Sequence, residues 1–74
     1  MINAGIMGGA GYTGGELIRI LLRHPECKIK FVHSRSHSNQ KVSEVHKDLI
    51  GDTDLIFTNE ISAGFSFAVN AGPA

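Results

Sequence analysis

Gly8-Gly9-Ala10-Gly11-Tyr12-Thr13-Gly14 is the stretch on which the reading of this chain turns. It follows an apolar run, Ile2 to Met7, and precedes an amphipathic helical pattern. Read from Gly9 it is a G-x-G-x-x-G string. Glycines also cluster in ordinary hairpins and bulges, so the string acquires meaning only from the strand before it and the helix after it. In that setting each glycine has a task. Gly9 permits the tight turn out of the strand. Gly11 has no side chain, so the backbone can approach a pyrophosphate. Gly14 lets the helix pack closely on the strand. The helix N-terminus then offers unpaired N–H groups and a partial positive charge to phosphates.

Working outward, Ile2-Asn3-Ala4-Gly5-Ile6-Met7 suits a buried parallel strand, with Ala4 and Gly5 small enough for a neighbour to approach closely. The helix is predicted to start near Tyr12 or Thr13, with Thr13 and Glu16 at capping-box spacing. Leu17, Ile18, Leu21 and Leu22 mark its apolar face and Ile20 widens it, while Arg19 and Arg23 face water. Pro25 stops it. Lys28 to His33 reads as a second strand, parallel to the first after a right-handed crossover. Tyr12 either sits beside the phosphate loop or simply packs.

Beyond this unit, Ser34 to Ser43 is a polar loop. Val42 to Ile50 is read as a short helix capped by Ser43, with Val45, Leu49 and Ile50 inward. Leu55 to Thr58 is a third strand and Phe65 to Val69 a fourth, with a turn over Glu60 to Gly64 and an unstructured end from Ala71. The fold class is therefore α/β, a partial Rossmann-type βαβ parallel sheet with a flanking helix.

Length and composition bound the rest. Seventy-four residues allow one small domain, and nine glycines raise the entropic cost of ordering it. A complete dinucleotide-binding domain needs two mononucleotide halves, so residues 1–74 are expected to be the beginning of a longer protein, marginally stable alone. The net charge is zero, which gives no pointer to nucleic acid or a membrane. Residues 1–42 nevertheless carry a net charge of +4 and residues 43–74 one of −4. A basic first half suits an anionic cofactor, although ordinary solvated faces give the same count. One cysteine excludes an internal disulfide. No signal-peptide pattern and no apolar run of roughly 20 residues is present, so a cytoplasmic location is expected.

An NAD-binding unit usually places a carboxylate at the end of the second strand. Here that place holds Ser34-Arg35-Ser36. An arginine and hydroxyls favour a 2′-phosphate, so the expected cofactor is NADP; the alternative for Arg35 is a solvated loop charge. Cys27 falls at the amino edge of the sheet, away from the carboxyl edge where cofactor and substrate bind, and is read as structural. His24, His33, His37 and His46 have no metal-site spacing.

Gly9-Ala10-Gly11-Tyr12-Thr13-Gly14, followed by Glu16-Leu17 and a helix ending at His24-Pro25, resembles N-acetyl-gamma-glutamyl-phosphate reductase. Ser34-Arg35-Ser36, Val45-His46 and Leu49-x-Gly51 resemble the same family. The likeness covers about residues 1–58, and the Gly-Tyr-Thr-Gly element distinguishes it from the related aspartate-semialdehyde dehydrogenases. The resemblance implies an NADPH-dependent reduction of N-acetyl-glutamyl phosphate to the semialdehyde in arginine biosynthesis. It implies a cysteine that attacks the acyl phosphate, a histidine that assists proton transfer, a second domain and a homo-oligomer. Cys27 does not match that cysteine, so no catalytic residue is carried over. Cofactor roles carry onto Gly9, Gly11, Tyr12, Thr13 and Gly14 at the phosphate loop, and onto Ser34 and Arg35 at the 2′-phosphate end. The competing expectation is a dinucleotide-binding module or structural fragment with no catalysis of its own.

Overall fold

The structure, a computed structural model, describes residues 2–61 and 64–71. The expectations that fall on Ser62, Ala63 and the last three residues lie outside them. Strand β1 (Ile2–Met7) leads through the glycine loop into helix α1 (Tyr12–Leu22), and strand β2 (Cys27–His33) follows. A four-residue helix α2 (Val42–Val45) and one 3₁₀ turn (Lys47–Leu49) precede β3 (Phe57–Thr58) and β4 (Phe67–Asn70). The strands lie in the order β3-β2-β1-β4. Every pairing is parallel, so the βαβ reading holds. That order is the first part of the doubly wound 3-2-1-4-5-6 sheet.

β1 is central, which explains its buried middle, Ala4 to Ile6. Its register against β2 slips between Ala4 and Gly5: Ala4 pairs with Ile29, but Gly5 pairs with Phe31. The extra residue, Lys30, breaks the alternation of faces. Ile29 and Val32 both join the cluster formed by Ile6, Ile18, Val42, Leu49 and Phe57. Phe31 lies outside that cluster, against Gly5, where an added Cβ would meet its ring at 2.3 Å. It also meets Phe65 edge to face, with ring centroids 5.4 Å apart.

α1 begins as early as the sequence allows, with Gly11 as its N-cap and no side-chain cap. Gly14 is thereby the third helical residue and Thr13 lies inside the first turn. The predicted capping box does not form. Glu16 turns to Arg19 instead, and Arg19 also reaches Asp48 at 3.1 Å. Arg19 thus ties α1 to the segment after α2 while its side chain stays partly open to water. The hydrogen bond and charge of Glu16, with a smaller contribution from Asp48, raise the Arg19 pKa above its usual value. Ile18 is fully buried and Leu17, Leu21 and Leu22 pack partly against the core. Ile20, expected to widen the apolar face, points to solvent.

The predicted helix over residues 42–50 breaks at His46, whose backbone (φ −105°, ψ 84°) is not helical. Lys41, not Ser43, is the N-cap residue. The break changes the helical phase, so Leu49 is buried while Ile50 is exposed. β3 is shorter than predicted because the chain before it is engaged elsewhere. Leu55 accepts the Val42 N–H at 2.9 Å, and Ile56 bridges Lys41 in an antiparallel sense. β4 starts later than predicted, after Ser66 donates its N–H to the Asn3 carbonyl.

Candidate functional site

The carboxyl ends of β1, β2 and β4 meet at an open cleft of about 820 Å³. Met7, Gly8, Ala10 and Gly11 form one wall, His33 to Ser36 the second, and Asn70 the third. This is the point where a doubly wound sheet reverses its strand order, and ligands bind there.

The turn out of β1 is made by Gly8, whose φ of 71° suits glycine. Gly9, expected to make that turn, is not among the positive-φ residues. Its lack of a side chain serves packing: an added Cβ would meet Val32 Cγ1 at 2.2 Å. Gly14 serves packing as well, since a Cβ there would lie 2.6 Å from the Gly9 backbone. Gly11 differs from both. A Cβ on it would meet no atom within 4 Å, and its backbone lines the cleft. Space beside this backbone is what a pyrophosphate on a helix N-terminus requires.

Tyr12 and Thr13 are exposed in the first turn of α1 and do not line the cleft. Tyr12 is 84% exposed, so it does not pack as a core residue. It borders a smaller hollow shared with Gly15, Glu16, Arg19, His46 and Asp48.

Ser34 and Arg35 both line the cleft, in different ways. Ser34 is 5% exposed. Its N–H donates to the Thr58 carbonyl at 2.9 Å, and its hydroxyl oxygen accepts the His37 N–H at 3.3 Å. Ser34 therefore shapes the loop. Arg35 is exposed and, among the described residues, makes no ion pair. Ser36 is exposed beside it, with Oγ 3.0 Å from His37 Nδ1. Among the described residues no carboxylate lines this cleft. Cys27 lies at the other end of β2, paired with Ile2, at the amino edge expected from its place in the sequence.

Met7, Gly8, Ala10, His33 and Asn70 also line the cleft, although the sequence analysis carries no cofactor role onto them, and each was findable as a residue at or just beyond a parallel strand's carboxyl end. Ser36, which the sequence places beside Arg35, lines it as well. His46 had no such local signal. Its Nε2 lies 2.7 Å from the Gly9 carbonyl oxygen, across 37 residues of sequence.

Residues 3–74 match the semialdehyde dehydrogenase family in its NAD-binding domain. The chain belongs to this family. Among its curated relatives are enzymes named N-acetyl-gamma-glutamyl-phosphate reductase. That of Phocaeicola vulgatus is 57% identical over 61 residues, 82% of this chain. That of Christiangramia forsetii is 58% identical over 62 residues, 84% of this chain. That of Flavobacterium johnsoniae is 53% identical over 62 residues, again 84% of this chain. In each case the match spans 19% of the relative's length. The α/β fold with a parallel sheet agrees with membership of this family. Among the described residues no helix is long and apolar enough to cross a membrane.

Proposed function

We propose that residues 1–74 are the N-terminal part of the NADP-binding domain of a reductase. The proposed reaction is the NADPH-dependent conversion of N-acetyl-glutamyl phosphate to N-acetyl-glutamate semialdehyde, a step of arginine biosynthesis. One observation carries the cofactor part of the reading. The open backbone of Gly11 and the exposed guanidinium of Arg35, without an ion pair among the described residues, border one cleft at the carboxyl edge of a parallel sheet. The names of the curated relatives support the substrate.

The residues fit the cofactor. Gly8, Ala10 and Gly11 would hold the pyrophosphate, with Gly9 and Gly14 keeping loop and helix close and Tyr12 and Thr13 completing the first helical turn. Arg35 and Ser36 would meet the 2′-phosphate over the loop that Ser34 shapes. An arginine offers charge-assisted donors to that phosphate, and among the described lining residues no carboxylate stands by to repel it. When bound, the nicotinamide supplies the hydride. The reading extends to a cytoplasmic homo-oligomer acting on a small acyl phosphate, with no nucleic-acid or membrane partner.

A second reading, a dinucleotide-binding module without catalysis of its own, is favoured by the position of Cys27. The chain's one thiol sits at the amino edge, on the far side of the sheet from the cleft. These residues bind; they hold no nucleophilic thiol at the cofactor edge. The experiment is titration of the intact protein with NADP and NAD, followed by assay of phosphate-dependent reduction of NADP by the semialdehyde. Tighter binding of NADP and turnover support the first reading. Binding without turnover supports the second, and equal affinity for both cofactors sinks the NADP assignment.

A further inference from the structure

We propose that His46 is a positioning residue for the phosphate loop, acting from outside the cleft through the Gly9 peptide; this rests on the dinucleotide reading above. A carbonyl oxygen can only accept, so the contact at 2.7 Å is donated by His46 Nε2–H to Gly9. The other side of Gly9 is held too, since its N–H donates to the His33 carbonyl at 3.0 Å. The peptide from Gly9 to Ala10 is planar and trans, so its C=O and the following N–H point in opposite directions. Drawing the carbonyl towards His46 turns the Ala10 N–H away from His46. Among the described residues that N–H has no acceptor, and Ala10 lines the cleft.

The ring is itself held in place. It lies against Gly15, where an added Cβ would come within 2.5 Å of Nδ1. It meets Phe57 edge to face at 6.2 Å. The break between α2 and the 3₁₀ turn falls on His46 itself, so the non-helical backbone there is what brings the ring to Gly9. Anchoring the loop from behind leaves the cleft free and sets its donor before any phosphate arrives, which lowers the ordering cost of binding.

The test compares His46→Phe, which keeps a ring and removes the donor, with His46→Gln, which keeps an N–H donor. NADP, NAD and adenosine 2′-monophosphate, which has no pyrophosphate, are titrated into the intact protein and both variants. His46→Phe is expected to weaken NADP and NAD alike by about three- to tenfold and to leave adenosine 2′-monophosphate unchanged, while His46→Gln stays within about twofold of the parent. Unchanged dinucleotide affinity in His46→Phe overturns the proposal. So does an equal loss for adenosine 2′-monophosphate, or a His46→Gln no better than His46→Phe. A parent protein that binds neither dinucleotide overturns the dinucleotide reading and this role with it. A binding parent with indifferent variants overturns the His46 role alone.

Discussion

The two ends of the sheet are built from the same strands and differ in what they offer. At the carboxyl end, where Met7 pairs with His33, the chain leaves the strands in tight polar loops with backbone and Arg35 open to the cleft. At the amino end, where Ile2 pairs with Cys27, a hollow of about 370 Å³ is lined by Leu21, Leu22, Cys27, Lys28, Ile29, Thr53 and Leu55. A strand of this length separates the two by about 17–20 Å. The helix dipole reinforces the contrast. α1 presents its positive end to the carboxyl edge and its negative end to the amino edge. An anion has donors waiting at one edge and mainly side-chain carbon at the other. The type of a residue therefore says less about its role than the edge on which the topology puts it, and Cys27 is the clearest case.

The largest expected effect removes the contrast altogether. Ile18 is fully buried between α1 and the sheet, so Ile18→Ala should cost about 2–5 kcal/mol of stability and loosen both edges together. Urea melts measure it; a loss below about 1 kcal/mol would mean that α1 is not seated as described. Arg35→Ala should come next, confined to the carboxyl edge. A charge-assisted bond is worth about 1.5–3 kcal/mol, so NADP affinity should fall about ten- to a hundredfold while NAD affinity barely moves. Equal losses for both cofactors would return Arg35 to the status of a solvated loop charge. The complementary gain belongs at Ser36. Ser34→Asp would bury a carboxylate, whereas exposed Ser36→Asp should disfavour NADP by repulsion without disturbing the loop.

Gly11→Val sharpens the comparison within the carboxyl edge. It should weaken NADP and NAD alike, about five- to a hundredfold, by filling the space beside the backbone that the phosphates need. The protein should still fold, because that Cβ direction is empty. A loss for NADP alone would move the pyrophosphate elsewhere. The smallest effect is expected at the amino edge. Cys27→Ala should leave both cofactor affinities unchanged and shift stability by no more than about 1 kcal/mol, since the thiol is only half-buried. Any loss of binding in that variant would show that the two edges are coupled.

Much of this was legible because its causes are local. The glycine string between an apolar run and an amphipathic helix marks a βαβ unit whichever way the rest of the chain folds. The stop at Pro25 and the apolar alternation after it place β2 within a residue of where it is found. The absence of a carboxylate after β2 is read directly, as is the presence of Arg35. The failures were also physical. Thr13 and Glu16 have capping-box spacing, but the short turn through Gly8 starts the helix earlier and moves Thr13 inside it. Ile50 has helical phase with Leu49 only if no break intervenes, and the break lies at His46.

By itself the sequence determined the unit β1-loop-α1-β2, the parallel sense of its strands and the edge on which Ser34 and Arg35 stand. These follow from periodicity, chain direction and the few backbone conformations that glycine alone adopts freely. Only the tertiary structure decided that Lys30 is the extra residue in the sheet, that β4 pairs on the far side of β1, and that Gly8 rather than Gly9 makes the turn. It also decided that Ser34 is buried and that His46 holds the Gly9 carbonyl. Most of those outcomes depend on atoms brought together from distant parts of the chain, and the choice between Gly8 and Gly9 depends on a loop squeezed between Val32 and α1. No local pattern encodes which of several compatible neighbours a backbone group meets, because that choice is made by the packing of the whole sheet against its helices.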